Sequence, residues 1–345
     1  MTKIEALLER ERERRGLRRR CIFHIFNDIT SFENLLASWR EFLNGKRKSK
    51  DVVEFSLNFM DNILSLHHEL AGKTYHHGGY KAFKVTDPKV RDIHKASVRD
   101  RLLHHAIYRI LYPFFDKKFI YDSYSCRIDK GTHRAMTRFQ DFGRIVSKNN
   151  TRTVWVLKCD IRKFFANIDH QILKNILTKF IGDNDVLWLL GQIIDSFDGG
   201  LPLGNLTSQL LVNIYMNKFD QFVKRELKAK YYIRYADDFV MLSENKQELE
   251  NLLPEISYFL ETKLKLSLHP DKVCIKTLSS GVDFLGWVHF SEHRILRKST
   301  KRRILRRIIQ NPKNETYQSY LGILDHGNAW KIEQELDKIY HRNKL

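Results

Sequence analysis

Three aspartates, Asp160, Asp237 and Asp238, are the residues of this chain whose type and spacing could do chemistry. Asp237 and Asp238 are adjacent within Tyr235-Ala236-Asp237-Asp238, and Asp160 closes the apolar run Val154-Trp155-Val156-Leu157-Lys158-Cys159. Carboxylates are the ligands that hard divalent cations select, and Mg2+ takes one or two while leaving positions for phosphate oxygens. Two such ions clamping an attacking and a leaving oxygen would perform nucleotidyl transfer. An Asp-Asp pair alone is ambiguous, because Asp favours turns for local hydrogen-bonding reasons. The third carboxylate turns the weight towards a metal site.

Such a site needs rigid elements beneath it. Tyr231-Tyr232-Ile233 and Phe239-Val240-Met241-Leu242 flank the Asp-Asp pair and read as two strands, with the pair at the tip of a tight hairpin. Asp160 ends a third strand-like run, followed by Phe164, Phe165 and a helix from about His170. Asp169 competes with Asp160 as a ligand but fits the N-cap of the 171–180 helix.

The ordered blocks around these residues resemble a reverse transcriptase of the prokaryotic, group II intron-related type. The resemblance runs from about Arg91 to Trp287. It is carried by Arg99 to Ala106, by Ser123-Tyr124-Ser125-Cys126-Arg127 with Lys130 to Ala135, by Asp160 to Phe165, and by Tyr235 to Asp238. Leu264 to Lys272 and Phe284-Leu285-Gly286-Trp287 resemble the last two blocks. The resemblance implies an α+β right-hand polymerase fold with fingers, a palm of antiparallel sheet plus helices, and a short helical thumb. It implies RNA-directed DNA synthesis at two Mg2+ ions, with Mn2+ able to substitute, held by Asp160, Asp237 and Asp238. One ion would activate the primer 3′-hydroxyl and the other would neutralise the departing pyrophosphate. Phe165 is expected beneath the sugar, excluding a 2′-hydroxyl, although ordinary core packing would also suit it. Tyr235, Lys272 and Gly286 are expected near primer and template.

One block departs from the family's general pattern. Leu203-Gly204-Asn205-Leu206-Thr207-Ser208-Gln209 has Leu where most members carry Gln, and Gln209 where most carry Pro. That pair of changes resembles the reverse transcriptases of diversity-generating retroelements, a family known for errors at template adenines. An apolar Leu203 removes a polar contact to the incoming nucleotide, and each 1.4 kcal/mol of lost discrimination is about tenfold. The alternative for Leu203 is a packed residue, with fidelity set elsewhere, and the Gln209 change beside it weighs against that. The same resemblance implies a small basic accessory protein beside the template RNA, primer, RNA–DNA hybrid and dNTPs. A retron, group II intron-like or phage-defence reverse transcriptase is the alternative, and a catalytically inactive RNA-binding protein is the reading of a different class.

Composition agrees with a polyanion partner. Sixty Lys and Arg against 41 Asp and Glu give a net charge of +19, which favours nucleic acid through counterion release. Four cysteines, at 21, 126, 159 and 274, form no Cys-x-x-Cys pair and fit a reducing cytoplasm. No signal peptide and no membrane span are expected. The chain divides into a basic arm and helices over 1–70, fingers and palm over 71–290, and a thumb over 291–345. Residues 1–20 read as a basic arm or a solvated helix, and 51–70 as one helix with a core stripe from Val52 to Leu66. Residues 74–90 read as irregular strand, with turns at Gly78-Gly79 and Asp87-Pro88. Arg99 to Phe115 reads as a helix stopping near Pro113, and Gly204 to Phe219 as a buried helix. Arg91 and Arg127, ahead of Lys95, Arg99 and Arg101, are candidates for the nucleotide triphosphate, because a guanidinium donates two parallel hydrogen bonds. The adjacent pairs His67-His68, His76-His77 and His104-His105 face different ways and suit packing or RNA contact better than a metal. Residues 298–309 read as a basic amphipathic helix suited to gripping an A-form hybrid.

Overall fold

The computed structural model describes residues 21–86 and 90–342. The arm expected over 1–20 and the Asp87-Pro88 turn lie outside the described residues. The chain forms two compact units, one built from residues up to 85, 91–119 and 163–219, the other from 86–90, 120–162 and 220–345.

The first unit is mainly helical, and several of its helices begin where a side chain accepts an orphan N–H group. Ser31 caps the Phe32–Phe42 helix through Asn34 N–H, Ser97 caps Val98–Asp116 through Asp100 N–H, and Asp169 caps His170–Leu177 through Ile172 N–H. Asp169 is therefore the cap that its position suggested. Two expectations need correction. The stretch 51–70 is two helices, Lys50–Leu57 and Phe59–Ala71, broken at Asn58 (φ −116°, ψ 42°), although its apolar stripe does face the core: Val52, Ile63 and Leu66 are buried, and Phe55 and Phe59 pack on Trp39. Pro113 does not stop its helix, which continues to Asp116 and buries Phe115. Burial of that ring outweighs the hydrogen bond that proline removes.

The described residues of 74–90 hold one strand, β1 (Tyr80–Val85), which pairs antiparallel with β2 (Arg91–Ala96). Tyr80 and His94, on one face of this ribbon, pack against Phe197, with centroids 5.5 and 4.7 Å away. His77 and His104 stack inside this unit, and burial holds the His104 imidazole well below its usual pKa. The helix expected from Gly204 begins two residues later and runs further, over Leu206–Arg225.

The second unit is built on a four-stranded antiparallel sheet. Its strands are β3 (Trp155–Asp160), β4 (Tyr232–Tyr235), β5 (Asp238–Ser243) and β6 (Cys274–Thr277), in the spatial order β4-β5-β3-β6. Val156, Ile233, Val240 and Leu242 of this sheet share a core with Phe139 and Phe142 of the Thr132–Val146 helix. A second antiparallel sheet follows, of β7 (Val282–Phe284), β8 (Trp287–His289) and β9 (Arg294–Leu296). The basic helix is present as Lys298–Gln310, and it buries Ile304 and Ile308 with Leu324, Leu336 and Tyr340 of the two helices after it. No helix among the described residues is long and apolar enough to cross a membrane.

Candidate active site

The carboxylates come together through strand register. In the β3–β5 ladder Asp160 lies directly opposite Asp238, and in β4–β5 Tyr235 lies opposite Asp238, leaving Ala236 and Asp237 as the turn. Directly opposed residues of an antiparallel pair project to the same face. Ala236 takes φ 55°, a left-handed conformation that non-glycine residues adopt at a cost and that gathers at functional sites. Both turn carbonyls are held, that of Ala236 by Arg234 Nη1 at 3.2 Å and that of Asp237 by Ile161 N–H at 3.0 Å. Asp160 is fixed through its own carbonyl, which accepts His269 N–H at 2.7 Å.

Two lysines neutralise the carboxylates. Lys272 Nζ donates to Asp160 Oδ1 at 2.9 Å, and Lys158 Nζ lies 3.5 Å from Asp238 Oδ2. Lys158 also donates to the Asp283 carbonyl at 2.5 Å. Burial pushes the Asp238 carboxyl up to about 7; the Lys158 ammonium opposes this, and the Asp237 and Asp160 charges add to it. Asp238 Oδ1 is buried without a hydrogen-bond partner.

Among the described residues no three His, Cys, Asp or Glu side chains stand close enough to form a metal-binding group. The donor chemistry nevertheless fits a hard divalent cation: oxygen ligands only, one buried carboxylate oxygen unsatisfied, and two ammonium groups already bound to the carboxylates that such an ion would meet. Asp160, Asp237 and Asp238 are the residues that would hold it.

The remaining expected residues divide between the units. In the second, Tyr235 Oη accepts from Thr132 Oγ1 at 3.2 Å, and Gly286 is the second central residue of the β7–β8 turn. Arg127 donates Nη1 to the carbonyls of Ile120 and Ser123 and to Ser123 Oγ, so it braces its own loop. In the first unit Arg91 opens β2 and is exposed. The Leu203 carbonyl accepts His94 N–H at 3.0 Å and Asn205 Nδ2 donates to the His94 carbonyl at 3.3 Å, which fastens this segment to β2. Gly204 between them has φ 107°, and a Cβ there would lie 2.9 Å from Ile93 Cγ2. Gln209 is half-buried in the first turns of the Leu206–Arg225 helix. Phe165 is half-buried, and its carbonyl accepts Leu201 N–H at 2.8 Å.

Sequence reasoning passed over Lys158 and Arg234. Strand alternation puts Lys158 on the face of Asp160, two residues on, which was signal enough. Arg234 was marked by being a charge inside an apolar strand.

The family described as Reverse transcriptase (RNA-dependent DNA polymerase) matches residues 84–289, a span that holds all three aspartates. This chain belongs to that reverse transcriptase family. Protein YkfC of Escherichia coli (strain K12) is 27% identical to this chain over 255 residues, covering 62% of this chain and 65% of that protein. The group II intron-encoded protein LtrA of Lactococcus lactis subsp. cremoris is 24% identical over 277 residues, covering 59% of this chain and 45% of LtrA. This chain thus spans less than two thirds of each of these relatives. A structure of apo telomerase from Candida Tropicalis aligns with 78% of this chain and 57% of its own, at 13% identity and a TM-score of 0.53. The fold of this chain is α+β, the right-hand polymerase fold.

Proposed function

We propose that this chain is an RNA-directed DNA polymerase that copies a template RNA into cDNA from dNTPs. The observation that supports this best is the register pair Asp160–Asp238 beside the Asp237 turn, inside the span matched by the reverse transcriptase family. Mg2+ held by the three aspartates, with Mn2+ as a substitute, would supply the charge that activates the primer hydroxyl and neutralises pyrophosphate. The rigid hairpin fixes where the carboxylates stand, and Lys158 and Lys272 balance their charge until nucleotide arrives. Phe165 excludes a 2′-hydroxyl, Arg91 and Arg127 receive the triphosphate, and Leu203, Gly204 and Gln209 face the nascent base pair. Tyr235, Lys272 and Gly286 contact primer and template. The division into an N-terminal region over 1–70, fingers and palm over 71–290 and a thumb over 291–345 belongs to the same reading, as does a cytoplasmic setting.

The subclass we propose is that of diversity-generating retroelements, with mutagenic retrohoming and a small basic accessory protein. Leu203 and Gln209 support it. The test is cDNA synthesis on RNA from the protein's own locus, with and without the neighbouring basic protein, sequenced molecule by molecule. Errors concentrated opposite template adenines are the expected outcome. Faithful cDNA would move the chain to a retron, intron-like or defence role, and RNA binding without any cDNA under every condition would favour an inactive RNA-binding protein.

A further inference from the structure

Arg234 is one of the largest fully buried side chains among the described residues, and its acidic partner Asp220 is as deeply buried. A desolvated ion pair is a poor source of stability, since an apolar pair of similar volume often replaces it without loss. Its geometry is therefore the feature that needs a reason. Arg234 Nε and Nη2 donate to the two oxygens of Asp220, each at 2.7 Å, and Tyr232 Oη adds a third hydrogen bond to Asp220 Oδ1 at 2.7 Å. The remaining terminal nitrogen, Nη1, reaches the Ala236 carbonyl at 3.2 Å. Asp220 sits on the long Leu206–Arg225 helix, while Ala236 is the left-handed residue that presents Asp237 and Asp238. The Arg234 backbone is fixed as well: its N–H donates to the Asp122 carbonyl at 3.0 Å and its carbonyl accepts Tyr124 N–H at 2.9 Å.

We infer that Arg234 is a positioning residue for the catalytic turn, with Asp220 and Tyr232 orienting its guanidinium. A planar fork held at two nitrogens by one carboxylate has a fixed direction for its third nitrogen. The brace transfers the rigidity of the helix to the Ala236 peptide. It thereby sets where the two aspartates begin their projection from the turn. Lysine, a point charge on a flexible stem, could answer Asp220 but could not also fix Ala236. This inference rests on the polymerase reading, yet part of its test does not.

The experiment compares the wild type with Arg234→Lys and with the double variant Arg234→Met/Asp220→Leu, which removes both buried charges together. Thermal midpoint, kcat and KM for dNTP on a primed RNA template, and Mn2+ binding to the nucleic-acid-free protein by calorimetry are measured for each. The expected result is folded variants with kcat at least tenfold lower, dNTP KM within about twofold, and Mn2+ bound at least fivefold more weakly. A folded variant that keeps wild-type kcat and Mn2+ affinity would overturn the inference. Should the double variant fail to fold, Arg234→Lys alone decides, because it preserves the ion pair. A wild type without polymerase activity would instead count against the functional reading, and the Mn2+ titration would still judge the brace.

Discussion

Burial pushes the Asp238 carboxyl up to about 7 from an ordinary value of 3.8, so protons and metal compete for it near neutrality. Between those two values the folded protein keeps a proton that the unfolded chain has released. Stability of the metal-free protein therefore falls as pH rises towards 7 and levels off above it. Denaturation midpoints measured from pH 4 to 8 should show this fall in the wild type and a weaker one in Asp238→Asn; parallel curves would contradict the assignment. Divalent metal affinity should run the other way and weaken as pH drops through 7, because the protonated carboxyl is a poor ligand. Asp237→Ala should reduce primer extension to background while RNA affinity stays within about twofold, read by gel-based extension and fluorescence anisotropy. The carboxylate cluster was legible in the sequence because Asp160, closing a strand-like run, joined an adjacent pair that alone would suit an ordinary turn. Arg234 and Lys158 carried a sequence signal, one as a charge within an apolar strand and the other on the face of Asp160, but their partners, Asp220 and the Asp283 carbonyl, are brought near only by the folded chain.

At the scale of elements, close packing of backbone on backbone supports the proposed sugar gate. Gly200 has φ 68°, and a Cβ there would lie 2.2 Å from the Phe165 carbonyl oxygen and 2.6 Å from the Ala166 backbone. Gly200→Ala must therefore move the Phe165 segment, whereas Phe165→Ala leaves the backbone and removes the ring. Phe165→Ala should raise rNTP incorporation relative to dNTP by at least tenfold, and Gly200→Ala should change the same ratio while lowering the thermal midpoint. Unchanged discrimination in Phe165→Ala would reduce that ring to core packing. Gly204→Ala, strained at φ 107° and crowded by Ile93, should cost about 1–3 kcal/mol in chemical denaturation. The strands of the hairpin were readable because aromatic and β-branched runs stop at the same four residues. The helix break at Asn58 and the passage through Pro113 were not, since each depends on which side chains find a core rather than on local preference.

At the scale of the whole molecule, a net charge of +19 makes nucleic-acid affinity a counterion-release equilibrium. Binding to unrelated RNA sequences should weaken along parallel lines of log affinity against log salt, and a flat salt response would argue against a broad phosphate-binding surface. The fold class was visible through ordered blocks at family-like spacings. Its division into two units that each draw on separated stretches of chain was not, because periodicity records an element's own faces and not its distant neighbours. The proposed RNA-directed DNA polymerase activity depends on Asp160, Asp237 and Asp238. Its most direct measurement is primer extension on a defined RNA template with purified protein, Mg2+ or Mn2+ and dNTPs, run beside Asp237→Ala. Metal-dependent cDNA from the wild type and none from the variant is the expected result. Extension by Asp237→Ala, or none by the wild type with either metal and with its own-locus RNA and accessory protein added, would contradict it.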